Sequence, residues 1–515
     1  MKETFLSYLV IALLFVRFCE AEFQVNTHTS NDQTYSSVAT DGQGTFLIVW
    51  SSYRQDGDKG GIFGQRFGLD GSPLGGEFQI NTTTSGHQTE PSATMNAAGD
   101  FVVVWQSKIA DDEDIYAQRF SSDGNAIGGE FLVNDNPNGR QLHPEVSMSS
   151  AGSFVIVWEN NEYWPSFDYY EILFKLYDCN STVIEANSTN LLSQCRYPDV
   201  AMDGNGNGNF TIVWMQDDIY HSSNIVMARP YNADGTAKAD PYEVSTSEFD
   251  SLTQISISMA DSGHFIVTWD GNPGSASEDN ILARRYKFDG TAITDEFVVN
   301  TTLAGTQRNP EVAMNNQREF VIVWDSEPVP GTNHRDILCQ RYNSQPVPVG
   351  DELKINTYVV DDQKYPEVAI REDGRFITAW QSDGQDGSGW GVFAEAGPKI
   401  YCADFSGDGF VNFYDYCILA QEWLEEGNPL QADLVDDNRI DEQDLGAFCA
   451  QWLMPCYQCS RADIYSDGKI DFKDYCLLAN NWQKEGSLAG DITGDGTVDI
   501  EDLQVLVFHW AVSCE

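Results

Sequence analysis

The chain has 515 residues, of which 41% are hydrophobic, and 79 acidic against 29 basic residues give it a net charge of −50. That balance excludes nucleic acid as a partner, because a phosphate backbone is bound by Lys and Arg clusters that this sequence lacks. Residues 401–515 hold 23 acidic and 5 basic residues, a net −18 over 115 residues against −32 over the first 400, so acidity is densest in the tail.

At the amino terminus Lys2 precedes an apolar stretch from Phe5 to Val16 and then Cys19-Glu20-Ala21. This reads as a secretory signal peptide over 1–21. No stretch approaches the ~20 apolar residues of a membrane span, so a secreted or cell-surface protein with no membrane span is expected. Seven of the 11 cysteines lie between Cys402 and Cys514, and in an exported chain this favours disulfides. Cys179 and Cys195 flank an irregular connection and are predicted to pair with each other.

Seven tryptophans, Trp50, Trp105, Trp158, Trp214, Trp269, Trp324 and Trp380, recur at spacings of 53 to 56. A fixed period with one large aromatic per unit marks a repeat architecture. Each unit offers four strand-like segments, clearest in the sixth: Glu311 to Asn315, Phe320 to Asp325, Ile337 to Tyr342 and Glu352 to Asn356. The second segment is a continuous apolar run such as Phe320-Val-Ile-Val-Trp324, suited to a strand buried on both faces. Asp-Gly turns, such as Asp123-Gly124 and Asp289-Gly290, lead into the fourth. The pattern predicts a mainly β fold, a seven-bladed β-propeller over 22–397, with a stacked solenoid as the alternative. The seventh unit lacks a fourth segment, and Glu22-Phe-Gln-Val-Asn26 supplies the missing copy, so the N-terminal strand is expected to close the ring. With its EFxVN, FVVVW and DIxxQRF elements, this region resembles propeller repeats of large secreted or surface proteins of bacteria.

Four more tryptophans, Trp423, Trp452, Trp482 and Trp510, follow a ruler of 28 to 30. Each stands eight residues after a loop with Asp at position 1, Asp at 5, Asp or Asn at 9 and Asp at 12. Such oxygen ligands wrap Ca²⁺, with a backbone carbonyl at 7 and Gly at 6 for the sharp turn. Two loops should bind more strongly: Asp404, Ser406, Asp408, Phe410, Asn412 and Asp415, and Asp491, Thr493, Asp495, Thr497, Asp499 and Asp502. Two are expected to be weaker. In Asp463, Asp467, Lys469, Asp471 and Asp474, Tyr465 occupies position 3; in Asp433, Asp437, Asp441 and Asp444, Val435 occupies position 3 and Asn438 position 6. An amphipathic helix follows each loop. Loop-helix units with Asp at position 12 resemble type I dockerins, here as two pairs over 402–456 and 459–514. The resemblance implies a small α-helical domain and a cohesin-like scaffold as partner. The residues after position 9, such as Phe413-Tyr414 and Ile500-Glu501, depart from the small hydroxylated pairs of that family, so calcium-dependent folding or surface attachment is the competing role.

Most polar residues of the long repeats recur, as Gln33, Gln88, Gln141, Gln307 and Gln363 do, and recurrence favours structural hydrogen bonding. Symmetry is broken at Glu159-Asn-Asn-Glu-Tyr-Trp-Pro-Ser-Phe-Asp-Tyr-Tyr170, which replaces a short loop, and at Trp390 after a glycine-rich turn. Aromatic faces beside carboxylates suit sugar rings, so Glu159, Tyr163, Trp164, Tyr169 and Trp390 are the candidate ligand-binding residues, alongside a sevenfold ligand-binding rim. No catalytic residue emerges. The sequence reads as a secreted calcium-binding protein whose propeller binds an extracellular polysaccharide or protein surface; the alternative is a propeller glycoside hydrolase or polysaccharide lyase on the same tail.

Overall fold

The computed structural model describes residues 22–397 except 43, 69–70, 111, 136–138, 165–166, 189–193, 205–207, 219–222, 248, 250–251, 273–278 and 328–333; side chains at 162–164, 167–169, 187–188, 218, 223 and 397 are also outside the description. The predicted signal segment and the four predicted calcium loops of 402–514 fall outside the described residues. The described part is mainly β, with 28 strands and no helix.

Each repeat gives an antiparallel meander of four strands. The first strands are Gln33–Thr40, His87–Met95, Arg140–Met148, Cys195–Met202, Ile255–Met259, Thr306–Met314 and Gln363–Ile370. The second strands carry the ruler tryptophans, from Phe46–Tyr53 in the first unit to Phe376–Asp383 in the seventh, and the third run from Gly60–Phe67 to Trp390–Gly397. Most of the fourth strands are two residues long, and the seventh unit takes Phe23–Gln24, with Phe23 opposite Ala394 and Gln24 opposite Phe393. Hydrogen bonds form four sheets of four strands and one of twelve, in which parallel bridges at Gly60–His87 and Arg140–Glu113 join three meanders. Each first strand packs against the next, and Gln363–Ile370 packs against Gln33–Thr40, so the sequence of contacts returns to its start.

The core lies between neighbouring meanders. Phe320, Ile322 and Trp324 pack with Ile266 and Ile281 of the preceding unit, whereas Val321 and Val323 pack with Ile370 and Trp380 of the following one. Successive side chains of a strand point to opposite faces, so a strand with a neighbour on each side must be apolar at every position. That is why the FVIVW run shows no alternation. The first and last residues of the hairpin between second and third strands stack, as Phe320 on Tyr342 at 4.6 Å and Phe154 on Tyr177 at 4.7 Å.

Two sequence expectations are corrected. No disulfide joins Cys179 to Cys195. Cys179 follows Tyr177, which pairs with Phe154 at the start of its hairpin, whereas Cys195 pairs with Gln216 near the finishing end of a second strand; the two thiols stand at opposite strand ends, and the buried Cys195 donates to Gln216 Oε1 at 3.1 Å. Residues 159–164 and 167–170, expected to stand in place of a short loop, are strand. The strands Phe154–Trp164 and Phe167–Tyr177 run on in register, Asn160 opposite Glu171 and Trp164 opposite Phe167, as a long β-hairpin.

Candidate ligand site

Six first strands break register at the same place, between Thr34 and Ser37, Thr89 and Ser92, Leu142 and Glu145, Arg196 and Asp199, Arg308 and Glu311, and Lys364 and Glu367. At each break one non-glycine residue is left-handed: Tyr35 (φ 54), Glu90 (φ 51), His143 (φ 50), Tyr197 (φ 48), Asn309 (φ 52) and Tyr365 (φ 52). A bulge of this kind re-aims one side chain and leaves the rest of the ladder intact. For bulky side chains the left-handed region costs energy and is sparsely populated. Among the described residues of the fifth unit, whose first strand starts at Ile255, there is no such residue.

Around the bulge the units repeat. Gln33, Gln88, Gln141, Gln307 and Gln363 are all fully buried. The indole N–H groups of Trp158, Trp324 and Trp380 donate to Oε1 of Gln141, Gln307 and Gln363 at 2.8, 3.0 and 3.0 Å. In five units the Asn closing the fourth segment accepts an N–H near the start of the adjacent third strand: Ile62 to Asn81 at 2.7 Å, Ile115 to Asn134 at 2.9 Å, Ile281 to Asn300 at 2.8 Å, Ile337 to Asn356 at 2.7 Å and Val392 to Asn26 at 2.8 Å. The residue after the ruler tryptophan then accepts the N–H of the next unit's bulge, as Gln381 does from Tyr35 at 3.3 Å, Glu159 from Tyr197 at 3.3 Å and Asp325 from Tyr365 at 3.4 Å. The frame is constant while the bulge side chain is not.

The bulge residues touch across unit boundaries. Tyr35 and Tyr365 are 45% and 46% exposed, with ring centroids 6.4 Å apart. Together with Trp390, Tyr53, His87 and Lys364 they line a cavity of about 430 Å³, at the small end of the roughly 300–1,000 Å³ range of small-ligand sites. Trp390 opens its strand opposite Asp383, and its N–H donates to Asp32 Oδ1 at 3.2 Å.

On the other side of Tyr35, Glu90 Oε2 lies 3.1 Å from His143 Nδ1, both side chains being partly exposed, and the His143 ring is 4.9 Å from that of Tyr197. Burial works against a charged His143, but the Glu90 hydrogen bond and carboxylate outweigh it and raise its pKa. Burial pushes the Glu159 carboxyl up, opposed by His143. The Glu90 contact thus favours the charged imidazolium of His143 over what a free histidine would show.

One turn along the first strands, the equivalent positions are Ser37, Ser92, Glu145, Asp199, Ser256, Glu311 and Glu367. Several join unit to unit, Ala93 N–H donating to Ser37 Oγ at 3.1 Å and Ile257 N–H to Asp199 Oδ2 at 2.8 Å. Burial raises Asp199 to about 7; burial and then the Asp199 charge raise Glu311 to about 8. Glu145 and Glu367 are pushed up by burial first and then by their carboxylate neighbours.

Of the sequence-predicted ligand residues, Trp390 lines the cavity. Glu159 is only 2% exposed and serves the Tyr197 backbone, so it supports a bulge and is not itself open to a ligand. The side chains of Tyr163, Trp164 and Tyr169 lie outside the described residues. The other strand-end carboxylates are also structural: Asp270 is buried and accepts from the backbone N–H groups of Thr253 and Gln254, and Asp325 is buried against Arg335 and Asn309. The bulge residues were missed, although a signal existed. Pro91, Pro144, Pro198, Pro310 and Pro366 each follow a bulge residue, and proline inside a strand marks a bulge or an edge.

No protein family and no curated protein matches the chain. Among solved structures it is similar to a protein of unknown function from Dyadobacter fermentans, at 12% identity over 73% of this chain and 98% of that one, TM-score 0.45. The β-propeller domain of the Trilobed protease from Pyrococcus furiosus matches at 8% identity over 75% and 97%, TM-score 0.42. The polysaccharide lyase Uly1 matches at 10% identity over 75% and 95%, TM-score 0.42.

Proposed function

We propose that this chain is a secreted glycan-binding protein: a seven-bladed β-propeller, closed by its N-terminal strand, that holds an extracellular polysaccharide between Tyr35, Tyr365 and Trp390, carried on a calcium-loaded dockerin-like tail. The observation that carries the reading is the pair of exposed tyrosines, each held in a left-handed backbone at a bulge. Exposed aromatic rings gain nothing from such strain in a folded core, and flat aromatic faces beside a small cavity suit the apolar faces of sugar rings. The tail, through Asp404 to Asp415 and Asp491 to Asp502 above all, would bind Ca²⁺ and attach the protein to a cohesin-like scaffold or to the cell surface.

A second reading, glycan cleavage, is favoured by Glu90 and His143, which pair a carboxylate with an imidazole on the Tyr35 flank. Screening the purified chain against immobilised polysaccharides, with retention and product release scored separately, tests both. Binding is expected for the unsubstituted chain and is lost in Tyr35→Ala with Tyr365→Ala. Unchanged retention in that double variant would remove the site assignment, and reducing or unsaturated products abolished by His143→Ala would establish cleavage.

A further inference from the structure

We infer that the cavity between Tyr35, Tyr365 and Trp390 selects an uncharged polysaccharide and turns away uronate-bearing or sulfated ones. This rests on the glycan-binding reading and adds to it the charge class of the ligand.

Lys364 is the ammonium that lines the cavity, and it is engaged twice. Its Nζ lies 2.5 Å from Asp362 and 5.5 Å from the centroid of the Trp390 ring. The one ammonium that could meet an anionic sugar in this cavity is thus already held by a carboxylate and an aromatic face of the chain itself. His87 adds no positive charge: burial and then the Lys59 ammonium push its pKa down, so it is neutral at pH 7. Lys108, near His87, is held by Glu113.

The opposite charge is in surplus. Asp32 lines the cavity and accepts the Trp390 N–H. Asp383 pairs with Trp390 along the strands, and burial followed by repulsion from Asp361, Asp362 and Asp32 raises it. Among the residues that line the cavity the charged ones are Asp32 and the paired Lys364, and beside them Asp361, Asp362 and Asp383 add three carboxylates against the Lys59 and Lys108 ammoniums near His87, in a chain of net charge −50. A carboxylate or sulfate on the sugar would enter this field without a counter-charge, whereas hydroxyl groups can use Asp32 as an acceptor and the tyrosine hydroxyls as donors.

The full chain is tested for retention on neutral β-glucan, arabinan and galactan and on polygalacturonate, alginate and a sulfated galactan. Salt is set at about 0.02 M and about 0.3 M, where the screening length falls from roughly 20 Å to roughly 6 Å. At least one neutral polymer should be retained equally at both salts, and the anionic polymers should be excluded at low salt. In Asp361→Asn with Asp362→Asn, neither of which lines the cavity, retention of anionic polymers at low salt should rise about tenfold, two like charges having been removed, with retention of the neutral polymer as the control for folding. Tighter binding of an anionic polymer at low salt than at high would overturn the charge class and leave glycan binding standing. Retention of no polymer of either kind would sink both.

Discussion

Glu22 and Thr357 are 335 positions apart, yet Glu22 Oε2 accepts both the Thr357 N–H at 2.7 Å and its hydroxyl at 2.6 Å. The same clasp joins Thr27 to Glu77, Thr82 to Glu130, Thr246 to Glu296 and Thr301 to Glu352. In each, the Glu that opens one fourth segment holds the Thr that follows the preceding one. Through Glu22 and Thr27, the N-terminal segment takes part in two of these clasps.

Deleting residues 22–26 is therefore expected to lower the melting temperature of the whole β domain in one cooperative step, since an open edge and two lost clasps affect both neighbours. Glu22→Ala alone should cost on the order of 1 kcal/mol, because the contact is exposed to solvent. Thermal unfolding followed by far-UV circular dichroism checks both; a deletion variant that melts like the parent would show that the strand is an accessory.

Gln307 and Trp324 form a buried pair at 3.0 Å. Gln307→Ala leaves the indole N–H without its acceptor and should destabilise by about 1–3 kcal/mol, while adding Trp324→Phe to it should cost less than the sum of the two single changes. Urea titration of the four proteins of the cycle measures the coupling. Strict additivity would mean that the recurring glutamine is a filler and not an acceptor.

Stability should fall as pH rises from about 4 to about 8. Glu311, raised to about 8, and Asp199, raised to about 7, hold protons in the folded chain that an unfolded carboxyl, titrating near 4, has already released. Their contribution is fully present below the unfolded value and is lost as pH passes through the folded one. The raised His143 acts in the same direction. Glu311→Gln should gain on the order of 1 kcal/mol at pH 8 and close to nothing at pH 4. Melting temperatures across that range decide it, and a loss at pH 8 would show that the charged form is the one the fold prefers.

For the tail, calorimetry with Ca²⁺ should show two stronger sites, abolished by Asp408→Ala with Asp495→Ala, because each change removes the position 5 carboxylate of one complete loop. Absence of both binding heat and a calcium-dependent thermal shift would refute the loops as metal sites.

The repeats, the strand count per unit and the structural role of the glutamines were legible because each recurs from unit to unit in nearly the same letters, the glutamine in five units of the seven. Trp390 was legible as an exception to the ruler. The bulge residues escaped because their backbone state comes from the misfit between Gln33-Thr-Tyr35 or Gln141-Leu-His143 and the second strand beside it, and pairing register is not a property of one segment. Glu159 misled for the opposite reason: its identity breaks the repeat, but its task, holding the next bulge's N–H, is the one Gln381 performs.

The left-handed bulges separate architecture from vocabulary. Neighbouring strands read the glutamine that stands two residues before five of the six bulges and the serine or carboxylate that follows each, while the bulge residue itself ranges from Tyr35 to Asn309. The frame thus fixes where a side chain is presented and leaves open which one, so that six sockets share one mounting and differ only in what is fitted to them.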